Sequence, residues 1–142
     1  MTQKKYELLK NDTVTAPNGK TLYRIKALID FDVVVAGSLG GYIEKEDNLA
    51  HSDNAWVYGN ARVYSKKDLV WFSNVGTEYG TLTVFKTKEG KLFASRGCFK
   101  GTVDKFLAKS AEVHDERIKR EYRLLIEVAK SRLLGESYVP TF

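Results

Sequence analysis

Leu39 to Tyr64 reads LGGYIEKEDNLAHSDNAWVYGNARVY, and inside it a six-residue period surfaces and then stops. Ala55 to Asn60, AWVYGN, runs straight into Ala61 to Lys66, ARVYSK, and Leu49 to Asn54, LAHSDN, precedes them as a degenerate copy. Hexapeptide periods with a small or apolar residue and a Gly-Asn turn are the signature of a parallel β-helix, in which about three hexads close one coil. One coil cannot bury its own apolar face, because such repeats are stable only when stacked on neighbours. The segment is therefore a vestigial coil that must stack on the rest of this chain or on a second copy.

Outward from the coil, the chain reads as alternating strands. Tyr6 to Lys10 is a short strand, and Pro17-Asn18-Gly19 is a turn signal. Thr21 to Phe31 follows as a longer strand whose cleaner apolar face is Tyr23, Ile25, Ala27 and Ile29. Val33 to Ile43 reads as another, bent by Gly37, Gly40 and Gly41. Beyond the hexads, Leu69 to Ser73 is a strand. Thr81 to Thr87 and Lys91 to Cys98 then flank Lys88-Glu89-Gly90, a three-residue hairpin loop with glycine at the left-handed position.

That loop sets a register in which Phe85 faces Phe93 and Thr83 faces Ser95. On the other face it places Leu82, Val84, Leu92 and Ala94, an ordinary core face. The Phe85–Phe93 face needs a cover, since a solvated antiparallel sheet carries polar side chains there. Two covers meet the need: the C-terminal helices, or a planar ring from a ligand.

The helical part opens at Gly101-Thr102, with Thr102 as N-cap and Asp104 in the first turn. Val103, Phe106, Leu107 and Ser110 form its stripe. Asp115 caps a second helix to about Leu134, with Ile118, Tyr122, Leu125, Ile126, Ala129 and Leu133 inward and Gly135 as the stop. The fold class is thus α+β in one domain, 1–142. A β-rich part spans 1–100, a helical part 101–135 and a short tail 136–142.

Composition narrows the chemistry. With 43% hydrophobic and 29% charged residues, 142 residues are enough for one core. Neither a membrane-spanning apolar run nor a signal-peptide pattern is present, which points to the cytoplasm. Cys98 is the one cysteine, and its strand position between Gly97 and Phe99 reads as a buried small hydrophobe. His51 and His114 are far apart, so no metal spacing exists, and no Walker loop or dinucleotide fingerprint is found. No nucleophile has a base beside it in sequence, which argues against an enzyme and against a cofactor.

The net charge of +5 concentrates in residues 83–110, with seven Lys/Arg against two acids. Aromatic faces (Trp71, Phe85) and cations (Arg62, Arg96, Lys119, Arg120, Arg123) suit a ligand with a planar ring and phosphates. Nucleic acid fits less well, because acids interleave with the bases and no continuous basic stripe forms.

LYRIKAL (22–28), AGSLGGYIE (36–44), NAWVYGNARVY (54–64), SNVGTEYGTLTVF (73–85), TKEG (87–90) and SRGCFKGTVDKF (95–106) together resemble small proteins of tailed phages and prophages. Many of those carry a longer run of hexapeptide coils between the same flanks; this chain keeps about one. In length and layout it is similar to the phage Thoeris anti-defence sponge family. The resemblance implies a protein of the infected bacterial cell that binds a cyclic ADP-ribose isomer, an immune signal, and leaves it intact. It also implies homo-oligomers, dimers that join into hexamers, with pockets at subunit interfaces; related members bind cyclic oligonucleotides. The aromatic on the hairpin would be Phe85, and the basic residues of the last helix would be Lys119, Arg120 and Arg123. Ser95 and Arg62 would contribute further contacts. The competing reading is a phage inhibitor that binds a host protein through its basic hairpin–helix surface, and a third is an enzyme that degrades the nucleotide.

Overall fold

A computed structural model describes residues 4–76 and 78–135 and shows an α+β chain in three layers. The first sheet, in order β1-β2-β3-β4, comprises Tyr6–Thr15, Thr21–Ala27, Leu39–Ile43 and Arg62–Val63. The second, β5-β6-β7-β8, comprises Leu69–Val75, Gly80–Lys86, Leu92–Arg96 and Phe99–Thr102. Helices α1 (Val103–Val113) and α2 (Glu116–Leu134) cover the far side of the second sheet.

Pro17-Asn18-Gly19 makes the β1–β2 turn, and Gly19 takes φ 85°, which glycine adopts at no steric cost. β3 pairs antiparallel with β2 and parallel with β4, with Tyr42 opposite Arg62 and Ile43 opposite Val63. The parallel pair stacks two strand–turn units, but not on the expected six-residue period. Each strand enters the same short 3₁₀ turn, Glu46–Asn48 in one case and Lys66–Asp68 in the other. Asn48 Oδ1 accepts the N–H groups of Glu44 and Lys45, both at 3.1 Å. Asp68 Oδ2 accepts those of Tyr64 and Ser65 at 2.9 and 3.2 Å. A buried leucine follows each time, Leu49 and Leu69. The stacked unit is thus a strand–turn of twenty residues, as the Ile43–Val63 register requires, rather than a run of six-residue hexads.

Three expectations are corrected here. The strand placed at Val33 to Ile43 begins only at Leu39, because Phe31 and Val34 exchange backbone hydrogen bonds in a tight turn and Asp30 Oδ1 accepts the Ala36 N–H at 2.7 Å. For the same reason β2 stops at Ala27 rather than Phe31. Cys98 is exposed in the turn between β7 and β8, not buried. The strand β8 runs up to the expected N-cap, Thr102, and α1 begins at Val103.

The hairpin forms in the expected register: Thr83 opposite Ser95, Val84 opposite Ala94, Phe85 opposite Phe93 and Lys86 opposite Leu92. Leu82, Val84, Leu92 and Ala94 pack under Val103, Phe106, Ile118, Tyr122, Ile126 and Ala129. The opposite face is covered by neither the helices nor an open ligand cleft. Ala55, Trp56, Val57, Ala61 and Val63 of the coil close over Phe85, which is 0% exposed, and Tyr58 sets its ring edge against it at 5.1 Å. The second sheet is the middle layer, apolar on both faces.

Both helix caps are as expected. Thr102 accepts the Lys105 N–H at 3.2 Å and Asp115 that of Ile118 at 3.0 Å. Gly135, at φ 70°, ends α2. The tail, 136–142, lies outside the described residues.

Candidate ligand-binding site

The short His114-Asp115 connection folds α2 back beside α1, leaving a groove between them. Spacings of three and four residues put Lys119, Arg120 and Arg123 on one flank of α2. With Leu107, Ser110 and Ala111 of α1 and with Glu116, they line a cavity of about 210 Å³. Lys119 Nζ is 2.6 Å from Glu116, so one of the three cations is already engaged. Arg120 and Arg123 form no ion pair among the described residues. These three residues, expected to act together, are brought together.

The other expected residues are not. Phe85 lies in the core on the far side of the second sheet from the helices, so it cannot present its face to a ligand. This overturns its reading as a stacking platform; the coil's apolar residues reach it first. Ser95 shares that face and donates its hydroxyl to the Trp56 carbonyl at 2.9 Å. Arg62 sits on the outside of the first sheet. Its guanidinium lies 4.5 Å from the Tyr42 ring centre, whose other cation neighbour, Arg24, lies at 4.7 Å. Tyr42 donates to Asp12 at 2.7 Å and Arg24 pairs with the same carboxylate at 2.9 Å, so Arg62 belongs to a surface stack remote from α2.

Trp71 is half-buried on β5, its indole N–H donating to Asp53 at 2.8 Å. Ser73 donates to the other oxygen of that carboxylate at 2.7 Å. Burial pushes Asp53 upward, but these donors, the Asn54 N–H and nearby Lys5 outweigh it and hold the carboxyl below its ordinary range. Lys5 itself is buried. Its ammonium donates to the carbonyls of Asp53 (2.7 Å) and Ala55 (2.6 Å), and desolvation, partly opposed by Asp53, lowers its pKa to about 8.

Arg96 leaves the end of β7 and passes over Gly80, where a Cβ would stand 2.9 Å from its Cζ. It lies beside the hydroxyl of Tyr122, whose pKa is raised by burial against the opposing pull of that guanidinium. Its Nε is buried with no partner among the described residues. Arg96, Lys109, Phe99 and Tyr122 line a second cavity of about 200 Å³ on the other side of α1. The sequence placed Arg96 among the candidate cations without locating it; the glycines at 76 and 80 that make room for it were the available signal.

One pairing was missed. Ser110 Oγ lies 2.8 Å from His114 Nδ1, with Ser110 2% exposed. A hydroxyl beside an imidazole is half of a nucleophile set, but the set needs a third group to orient the ring. Among the described residues no carboxylate bonds the other ring nitrogen, and the pair sits one turn apart at the end of α1, where His114 N–H also donates to the Ser110 carbonyl. The contact reads as a helix terminus. Nor do the described residues hold a cluster of three metal-ligating side chains or a helix long and apolar enough to cross a membrane. What the groove offers is two uncommitted guanidinium forks, suited to bidentate contact with phosphate oxygens. Comparison with family models, with curated proteins and with solved structures finds no match for this chain.

Proposed function

We propose that this protein binds and sequesters a small cyclic nucleotide signal, a cyclic ADP-ribose isomer, without degrading it, as the phage sponge proteins that its sequence resembles do. The observation that carries the reading is the α1–α2 groove, where Arg120 and Arg123 stand beside Lys119 with no acidic partner of their own among the described residues. Their guanidinium groups hold the phosphates in paired bonds, and Lys119 exchanges Glu116 for the ligand. Phe85 is not available for stacking. The groove is open, and Leu124 and Val128, one turn apart on α2, are 45% and 47% exposed. The binding unit in this reading is a homodimer packed on that ridge, and its place of action, as for the phage proteins that the sequence resembles, is the infected cell's cytoplasm.

The test is to incubate the protein with a cyclic ADP-ribose isomer, separate it from free ligand, heat it and identify what is released. Intact ligand supports sequestration; altered ligand refutes it in favour of an enzyme. Arg123→Glu should abolish retention while leaving the melting temperature nearly unchanged, since charge reversal at a merely solvated site costs about 0.5 kcal/mol or less. The same exposed ridge favours a second reading, an inhibitor of a host protein, and absence of any retained nucleotide selects it.

A further inference from the structure

A cleft that holds an aromatic side chain lies elsewhere, where the coil's turns meet the end of α2, and it encloses about 420 Å³. Its floor is apolar: Ala50, Leu69, Val70 and one side of Trp71. Its rim carries Lys66 from the second 3₁₀ turn and Arg132 from the last turn of α2, opposed by Asp47 from the first. Neither Lys66 nor Arg132 forms an ion pair among the described residues, although the Lys86–Asp68 pair is close by at 3.6 Å. Trp71 is not free to swing, because Asp53 holds its indole N–H at 2.8 Å.

We propose that this cleft binds a planar ring bearing a single negative charge, stacked on Trp71 and held by Arg132 and Lys66. A fixed indole costs little ordering entropy on binding and offers a flat π-face. Two cations against one carboxylate leave one surplus positive charge, and the carbonyl end of α2 adds partial negative charge nearby, so a polyanion is disfavoured and a monoanion fits. The apolar floor takes the ring while the rim takes the charge. This site does not depend on the α1–α2 groove, which lies at the opposite end of α2 and uses none of these residues.

The probe is 2-naphthoate, titrated into the full chain while the indole N–H resonances are followed by NMR. Trp56 and Trp71 are the two indoles, and Trp71→Phe assigns them by loss of one signal. The Trp71 resonance should move with saturation and that of buried Trp56 should stay. Affinity should fall at least about tenfold in Arg132→Glu, a change of about 1.4 kcal/mol. It should fall likewise for 2-naphthamide, which keeps the ring without the charge, and for cyclohexanecarboxylate, which keeps the charge without the flat face. A Trp71 resonance unmoved at millimolar naphthoate overturns the proposal. So does equal binding of the neutral amide, or full affinity in an Arg132→Glu protein whose spectrum shows it folded.

Discussion

Phe85→Ala separates a core residue from a ligand platform. The ring is 0% exposed, edge-packed by Tyr58 at 5.1 Å and tilted against Phe93 at 6.4 Å, and its strand β6 is paired on both sides. Truncating a buried phenylalanine costs about 3–5 kcal/mol, more where the walls cannot collapse. Here the floor of the cavity would be a central strand, and the loss of aromatic contacts adds to it, since such pairs are worth about 0.5–1.5 kcal/mol beyond area burial. The upper half of the range, about 4–5 kcal/mol, is expected. For a chain of this size a loss of 1 kcal/mol lowers Tm by roughly 3 °C, so Tm should drop on the order of 12 °C. Urea unfolding followed by far-ultraviolet circular dichroism reads the change as a lower midpoint with an unaltered slope. Ligand affinity per folded molecule should stay as it was. A stability loss below about 1 kcal/mol would refute the argument, because it would mean that the coil does not close over this face in solution.

Gly41→Ala should cost about 1–3 kcal/mol, as forced overpacking does, because an ideal Cβ at Gly41 would lie 2.6 Å from that of Ala61; thermal unfolding checks it. Asp68→Ala strips the Tyr64 and Ser65 N–H groups of their acceptor and should cost about 1–3 kcal/mol, while Asp68→Asn should recover much of it, as Asn48 does the same work one turn earlier. Lys5 binds its proton less well folded (about 8) than unfolded (10.5), so the unfolded state carries more protons between those values and stability should rise as pH goes from 8 towards 10. Above about pH 10 buried Tyr6, whose pKa is pushed up by burial and by Glu46, acts in the other direction, since the unfolded phenol ionises first. Denaturant melts at pH 7 to 10 should show the rise in the native protein and not in Lys5→Met.

The elements that sequence revealed were those settled by neighbours in the chain. The Lys88-Glu89-Gly90 loop sets the Phe85–Phe93 register through one left-handed glycine, and Thr102 and Asp115 announce their helices within four residues. What covers Phe85 depends on a segment some thirty residues away, and no local rule selects Ala55 to Val63 over the helices. The strand TLTVF carries apolar residues on both faces, the mark of a middle layer, which alternation alone reads as one core face and one free face. The twenty-residue repeat was visible as YIEKEDNL above RVYSKKDL, but only Ile43/Val63, Asn48/Asp68 and Leu49/Leu69 match in kind, and the louder AWVYGN/ARVYSK period masks it. Of the candidate site, the helix spacing revealed Lys119, Arg120 and Arg123. It could not show that Phe85, Ser95 and Arg62 lie on other surfaces, because that depends on how the layers stack.

The ammonium of Lys5, donating into the carbonyls of Asp53 and Ala55, joins residues separated by 48 and 50 positions. Closing so long a loop carries an entropic cost that local hairpins do not bear, so this contact is expected to form late in folding. The β1–β2 and β6–β7 hairpins form from short-range contacts, while the seal between the first strand and the coil must wait until the lysine can shed its water. On a ribosome this seal cannot close before residue 55 has left the exit tunnel. Refolding rates should therefore respond to substitutions at Lys5 less than unfolding rates do, because the bond is made after the barrier and broken before it.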